Sequence, residues 1–277
     1  MKKYSEIKIW KYMDLAKFIY MLITESLYFA CPSKFIDPYE GYFPRSHIEA
    51  EKKEINEKID HIKKDVYEMM RKQTGNKFTL IDTTNLLKPF ITGVVSSFDE
   101  LGEVGLKFYK KSIKRFGVSC WHKSEYESEA MWALYSASGQ GIAIESTIEQ
   151  LKLSLGNIEG LIIDSVRYRD FENSPIEDGD KNNILFMKRN SFEHEKELRA
   201  RIPLPKEKEG EGTNILCNLD TLITRIYVSP YASDYFRDVV NSLCHSKIVN
   251  FEKPVILSKL FSEPNYEINI QDLKIET

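Results

Sequence analysis

The stretch from Ser46 to Gly75 constrains the fold more than any other part of the chain. Ser46-His47-Ile48-Glu49 has the form of a capping box, and Gly75 can close the helix about seven turns later. Ile48, Ile55, Ile59, Ile62, Val66 and Met69 follow at intervals of seven, four, three, four and three, a narrow apolar stripe that has to lie on another apolar surface. Glu49 with Lys53, Glu54 with Lys58, Asp60 with Lys64 and Glu68 with Lys72 place acid before base at i,i+4 on the remaining faces. Lys52 stands where a two-stranded coil would keep an apolar residue. The spacing therefore predicts a solvated helix laid on a core, and a homo-oligomer formed through helix 46–74 is the alternative.

The flanking sequence alternates strand and helix periods. Ile7 and Ile9 alternate, and at Asp14 the pattern shifts to the helical spacing of Leu15, Phe18, Ile19 and Leu22, before a short strand at Leu27-Tyr28-Phe29. Cys31 to Gly41 carries two prolines and several aromatics and reads as an ordered loop. Capping boxes at Ser97–Glu100 and Ser124–Glu127 open two more helices, the second turning Ala130, Met131, Leu134 and Tyr135 inward. Strands are predicted at 116–121, 141–144, 162–168 and 198–204, with a polar loop from Phe171 to Asn183 and a charged hairpin at Lys206–Gly212. A strand at 225–228, a helix after Ser229-Pro230 and a strand at 255–257 complete the pattern. No linker interrupts it. The reading is a single α+β domain over residues 1–277, a mixed sheet of short strands with packed helices and a helical insertion at about 46–115.

Composition enters as a filter. In 277 residues, 39 basic and 42 acidic side chains give a formal charge of -3, so no global positive field draws nucleic acid or an anionic membrane, although a local basic groove stays open. The apolar stretch from Phe18 to Ile23 is far shorter than the ~20 residues of a membrane span, so a membrane is not an expected partner and a cytoplasmic location is. Cys31, Cys120, Cys217 and Cys244 form no C-x-x-C pair and are expected as reduced thiols.

Several chemical motifs fail on spacing. Gly139-Gln140-Gly141 has Ile144 at the third glycine position of a dinucleotide fingerprint and precedes a strand, the wrong order. His194-Glu195 has Leu198 where a zincin needs its second histidine. Cys120 and His122 sit two apart on a strand, where a core cysteine is the commoner outcome than a nucleophile. Trp121 and Trp132 offer flat walls for a planar ring, with core packing as the competing use. Two carboxylate groups remain, Asp37 with Glu40 and Glu195 with Glu197, the latter followed by Arg199. They can stabilise a cationic sugar centre or bind a metal, and an adjacent arginine can hold phosphate or form a structural ion pair. E-x-E occurs seven times in the chain, so that spacing alone says little.

Trp10-Lys11-Tyr12-Met13, Asp37-Pro38-Tyr39-Glu40-Gly41, Ser119-Cys120-Trp121, Met131-Trp132-Ala133-Leu134-Tyr135, Gly141-Ile142-Ala143-Ile144 and Phe192-Glu193-His194-Glu195-Lys196-Glu197-Leu198-Arg199, in that order, resemble the bacterial domain-of-unknown-function family 2971 from about Ile9 to about Leu257. The resemblance implies a bacterial or phage-related cytosolic protein. A second resemblance, to the ADP-ribosyltransferase superfamily, implies a first-strand residue, a middle strand shaping a nicotinamide pocket and a late glutamate acting on ribose. Lys11 or Tyr12, Ser119, and Glu195 or Glu197 stand at those positions, whereas that superfamily usually has arginine or histidine first. The resemblance implies Glu195, Glu197 and Tyr12 as catalytic, and Lys11, Ser119, Trp121, Trp132, Tyr135, Lys188 and Arg199 as the residues around NAD. The expected function is an NAD-using transferase or glycohydrolase-like effector of a bacterial (phage) defence or toxin system with a small-molecule ligand. The alternatives are a magnesium-dependent nuclease built on Asp37, Glu40, Glu195 and Glu197, and a non-enzymatic module that senses a ligand or binds a partner.

Overall fold

At Asp14 the chain passes from strand to helix, as the change of period requires. β1 (Lys8–Asp14) buries Ile9, Trp10, Tyr12 and Met13, covering both of its faces. The Asp14 carboxylate then accepts the Lys17 N–H at 2.8 Å and caps α1 (Leu15–Thr24), which turns Phe18, Met21 and Leu22 inward. The computed structural model describes residues 3–74, 79–93, 111–136, 139–174, 183–246, 249 and 251–263, and the fold is α+β. Two compact units divide the chain, one from Met1–Glu25, Ser124–Ser154 and the residues from Asn218 on, the other from Ser26–Lys123 and Leu155–Cys217.

In the first unit β1 pairs antiparallel with β4 (Gly141–Thr147), β4 antiparallel with β10 (Arg225–Val228), and β10 parallel with β11 (Val255–Leu257). α4 (Glu129–Tyr135) sets Met131 and Trp132 against Trp10, Tyr12 and Ala143. Its start differs from the expected capping box. The Ser128 hydroxyl accepts the Met131 N–H, and the Tyr12 hydroxyl accepts the Ser128 N–H at 2.8 Å. Glu127 is thereby released from capping and accepts from Trp132 Nε1 at 2.9 Å and Ser258 Oγ at 2.5 Å. α5 (Ile148–Leu155), α6 (Leu219–Leu222) and α7 (Asp234–Cys244) follow, the last burying Phe236, Val240 and Cys244.

In the second unit an antiparallel sheet runs in the order β9 (Gly212–Leu216), β2 (Ser26–Ala30), β3 (Phe116–Lys123), β8 (Glu197–Pro203), β5 (Ile162–Ser165). The expected hairpin at Lys206–Gly212 does not form. β8 already has β3 and β5 on its two edges, so β9 pairs with β2 instead. The expected strand 162–168 also breaks in two at Val166, whose N–H goes to the Glu197 carbonyl, and β6 (Arg167–Arg169) leaves the sheet to pair parallel with β7 (Met187–Arg189).

α2 (Arg45–Thr74) starts one residue before the expected box. The Ser46 amide donates to the Phe171 carbonyl at 3.4 Å and its hydroxyl has no hydrogen-bond partner among the described residues, while the Pro44 carbonyl accepts from His47 and Ile48. Ile59 is buried and Ile48, Ile55 and Val66 half-buried, but Ile62 and Met69 are exposed, with Lys63 and Met70 turned toward the protein in their place. A straight helix drifts from a heptad stripe in this way. Of the expected pairs Glu54–Lys58 closes at 2.7 Å, and Asp60 takes Lys63 rather than Lys64. α3 spans residues 80–93. The helix expected from Ser97 and most of the Phe171–Asn183 loop lie outside the described residues. All four cysteines are free thiols, and no described helix is long and apolar enough to cross a membrane.

Replacing Asp14 with Ala removes the cap that ends β1 and opens α1. The expected loss is about 1 kcal/mol, read as a lower urea midpoint with an unchanged slope.

Candidate functional site

Alternation along β8 sends Leu198, Ala200 and Ile202 to one face, where all three are buried, and Glu197, Arg199 and Arg201 to the other. Arg199 is 0% exposed, and a guanidinium there must satisfy five donors inside the protein. It does. Nε and Nη2 fork onto Glu197 at 2.8 and 3.0 Å, Nη1 and Nη2 fork onto Glu40, and Nη1 also reaches the Leu185 carbonyl at 2.5 Å. Glu40 arrives on the loop that the prolines predicted. The Asp37 carboxylate accepts the Tyr39 N–H at 3.0 Å to start its turn, and Gly41, at φ +73°, ends it where an added Cβ would strike Ile113 Cγ2 at 2.5 Å.

Lys188, from β7, joins the other end of the network. Its ammonium donates to Glu195 at 2.6 Å and Glu197 at 3.5 Å, and lies 4.6 Å from the centre of the Phe192 ring. The two glutamates converge on one lysine because Lys196 between them takes a left-handed backbone, φ 40°. A 3-10 turn (Asn190–Glu195) carries Glu195 up to that point. His122 faces the Glu195 carbonyl through Nδ1 at 2.6 Å, and the Tyr168 hydroxyl accepts the Glu197 N–H at 2.7 Å. Burial pushes the Glu197 carboxyl up, but the charge and hydrogen bonds of Arg199, with Lys188 behind, outweigh it and bring it down to about 2. Burial alone would lower Lys188 and Arg199, yet facing carboxylates raise both. His122 is lowered chiefly by burial.

A second ion pair adjoins the first. Arg189 donates to Asp37 at 2.6 Å, and its guanidinium lies 4.3 Å from the Tyr39 ring centre and 5.4 Å from that of Phe192. Among the described residues these ion pairs join four carboxylates, Asp37, Glu40, Glu195 and Glu197, to three cations, Lys188, Arg189 and Arg199. Three of the carboxylates are sealed, at 4% exposure or less. Glu195, at 16%, is the one of the four that reaches water, and of the cations Arg189 is the most exposed, at 32%.

The structure therefore joins Lys188, Glu195, Glu197 and Arg199 in the second unit, and adds Asp37 and Glu40 from the loop. Ser119 and Trp121 belong to the same unit but are interior residues of β3, 1% and 2% exposed. Tyr12 and Trp132 are packed inside the first unit with ring centres 4.9 Å apart, and burial pushes the Tyr12 hydroxyl well above its usual range. Lys11 points to the other face of β1 from these two, and Tyr135 ends α4 half-exposed. Arg189 and Tyr168 carry no motif that marks them as site residues, and Phe192 enters the sequence analysis only as the start of the motif ending at Arg199. The adjacency of Arg189 to Lys188 is the signal for Arg189. Among the described residues no three His, Cys, Asp or Glu side chains are grouped to hold a metal ion. Asp37, Glu40, Glu195 and Glu197 each face a cationic side chain instead. No family model, curated protein or solved structure matches the chain.

Two outcomes follow from the network. Glu40→Gln or Arg199→Met leaves a buried charge without its partner and lowers stability by about 3–5 kcal/mol, whereas the double change recovers part of that loss in a double-mutant cycle. Because the carboxyl of Glu197 is depressed on folding, its stabilisation is complete above its ordinary value of 4.5 and is lost as pH falls toward about 2. Urea titrations over that window should show the acid loss flattened in Glu197→Gln, and an unchanged slope would remove the residue from the account.

Proposed function

We propose that the protein is an NAD-using transferase or glycohydrolase of the ADP-ribosyltransferase kind, with Glu195 as the working carboxylate. The observation that carries this reading is the partial exposure of Glu195, the carboxylate of the network that reaches water among the described residues, with its Lys188 partner 4.6 Å from the centre of the Phe192 ring. A carboxylate so placed favours a sugar carbon that becomes cationic. In the reaction the bond between the nicotinamide nitrogen and ribose C1′ breaks, and its electron pair leaves with nicotinamide. An oxygen of water or of an acceptor then bonds to C1′ and loses its proton. Lys188 fixes Glu195, and Glu197 with Arg199 fixes Lys188, so these are positioning residues. Arg189 takes the phosphate-facing role first given to Arg199, whose donors are all engaged. Phe192 and Tyr39 supply ring faces in place of Trp121 and Trp132. A cytosolic effector in bacterial defence or a toxin system is the setting that the sequence resemblance supports.

A binding module without turnover is the second reading, favoured by the 2.6 Å pairing of Glu195 with Lys188, which engages the carboxylate before any ligand arrives. Calorimetric titration with NAD, followed by assay of released nicotinamide, separates the two. Transfer predicts binding and release, with Glu195→Gln lowering release about 100-fold or more at little change in affinity. Binding with no release supports the module, and absence of binding ends both NAD readings.

A further inference from the structure

Arg201 is the charged group on this face of β8 that the network leaves out. Two residues beyond Arg199 and on the same face, it stands in register with Val118 of β3 and Ile162 of β5. Arg199 uses all five donors, whereas the half-buried Arg201 makes no hydrogen bond or ion pair among the described residues, and its Nε is buried without a partner. One side of the guanidinium is covered by the Phe116 ring, 4.5 Å from its centre, which contributes carbon and no acceptor. Burial alone lowers the affinity of Arg201 for its proton, and no carboxylate offsets it. Buried nitrogens of Arg167, Arg169 and Arg189 are also unanswered, but each of those side chains has a partner elsewhere, so Arg201 is the one of these guanidinium groups with no bonded partner among the described residues.

The surroundings say what would answer it. Ile162, partly exposed on the short strand β5, flanks Arg201 on one side, and Phe116 lies beneath it. A forked cation beside apolar surface suits an oxyanion carried on an apolar or planar body, the oxygens taking two parallel N–H donors and the body lying along the ring and the isoleucine.

We propose that Arg201 anchors an oxyanion-binding site on the β3–β8–β5 face of the second unit, for a carboxylate or phosphate group attached to an apolar or planar moiety. The assignment is independent of NAD chemistry at Glu195.

The test measures thermal shifts and equilibrium binding of sodium benzoate, sodium acetate and inorganic phosphate at matched ionic strength, with chloride as the reference, on the full chain and on Arg201→Gln and Arg201→Lys. Saturable stabilisation beyond that of chloride is expected. Benzoate above acetate identifies a carboxylate on a ring, and phosphate above both identifies a phosphoryl group. Either result supports the site when affinity falls about 10-fold or more in Arg201→Gln and less in Arg201→Lys, which keeps the charge without the fork. The free Arg201→Gln protein should melt at or above the temperature of the parent, since an uncompensated charge has been removed. Three results overturn the proposal: no anion exceeding chloride, binding that persists in Arg201→Gln, or a free Arg201→Gln protein destabilised as strongly as Arg199→Met, which would make Arg201 part of the scaffold.

Discussion

Removing Arg199 from water is the act on which the second unit depends. An isolated guanidinium in such a place would cost several kcal/mol. It is tolerated because two carboxylates from distant parts of the chain, Glu40 and Glu197, each grip it through two oxygens and the Leu185 carbonyl takes the last donor. Such a centre contributes more to uniqueness than to net stability, since hydrophobic residues of equal volume could fill the same space. What they could not do is require the loop around Glu40, the strand at Arg199 and the segment at Leu185 to occupy one arrangement only. Lys188 and Asp37 with Arg189 extend the same demand to the parallel pair β6–β7.

The first unit solves its interior differently. Its centre is made of rings: Trp10, Tyr12 and Trp132, with Tyr227 packed alongside. Each buried polar tip is answered by a neutral backbone group or a single carboxylate, as Trp10 Nε1 meets the Ser124 carbonyl at 2.9 Å and Trp132 Nε1 meets Glu127. The buried carboxylate Glu145 is balanced at the sheet face by Lys8 and Arg225, both of which reach water with part of their length. Large apolar area supplies the stability of this unit, and directed hydrogen bonds choose the rotamers.

Local signals in the sequence suffice where local physics decides. The passage from strand to helix at Asp14, the Cys31–Gly41 loop, α2 and most strands lie close to where period, proline and glycine place them. The errors occur where a partner distant in sequence decides. Nothing between Lys206 and Gly212 reveals that both edges of β8 are already occupied, and nothing near Val166 reveals that the chain changes sheets there. For the site, E-x-E-x-R was visible and Glu40 was noticed, but their meeting was not, because ion pairs formed across the fold leave no spacing to measure. The seven E-x-E repeats look alike in one dimension. The pair at 195 and 197 stands apart only through the left-handed backbone of Lys196, which composition does not announce.

The distance along the chain between the partners of Arg199 has its own consequence. Glu40 and Arg199 are 159 positions apart, so during synthesis the acidic loop leaves the ribosome long before its counter-ion does. Until then the Glu40 carboxylate lacks the guanidinium that grips it in the folded chain. The loop therefore docks late, after most of the second unit has been made, and closing so long a loop is an entropic toll collected before the first bond of the cluster forms. A nascent chain stopped short of β8 keeps this corner open to proteases and chaperones, and completion of that one strand is the event that shuts it.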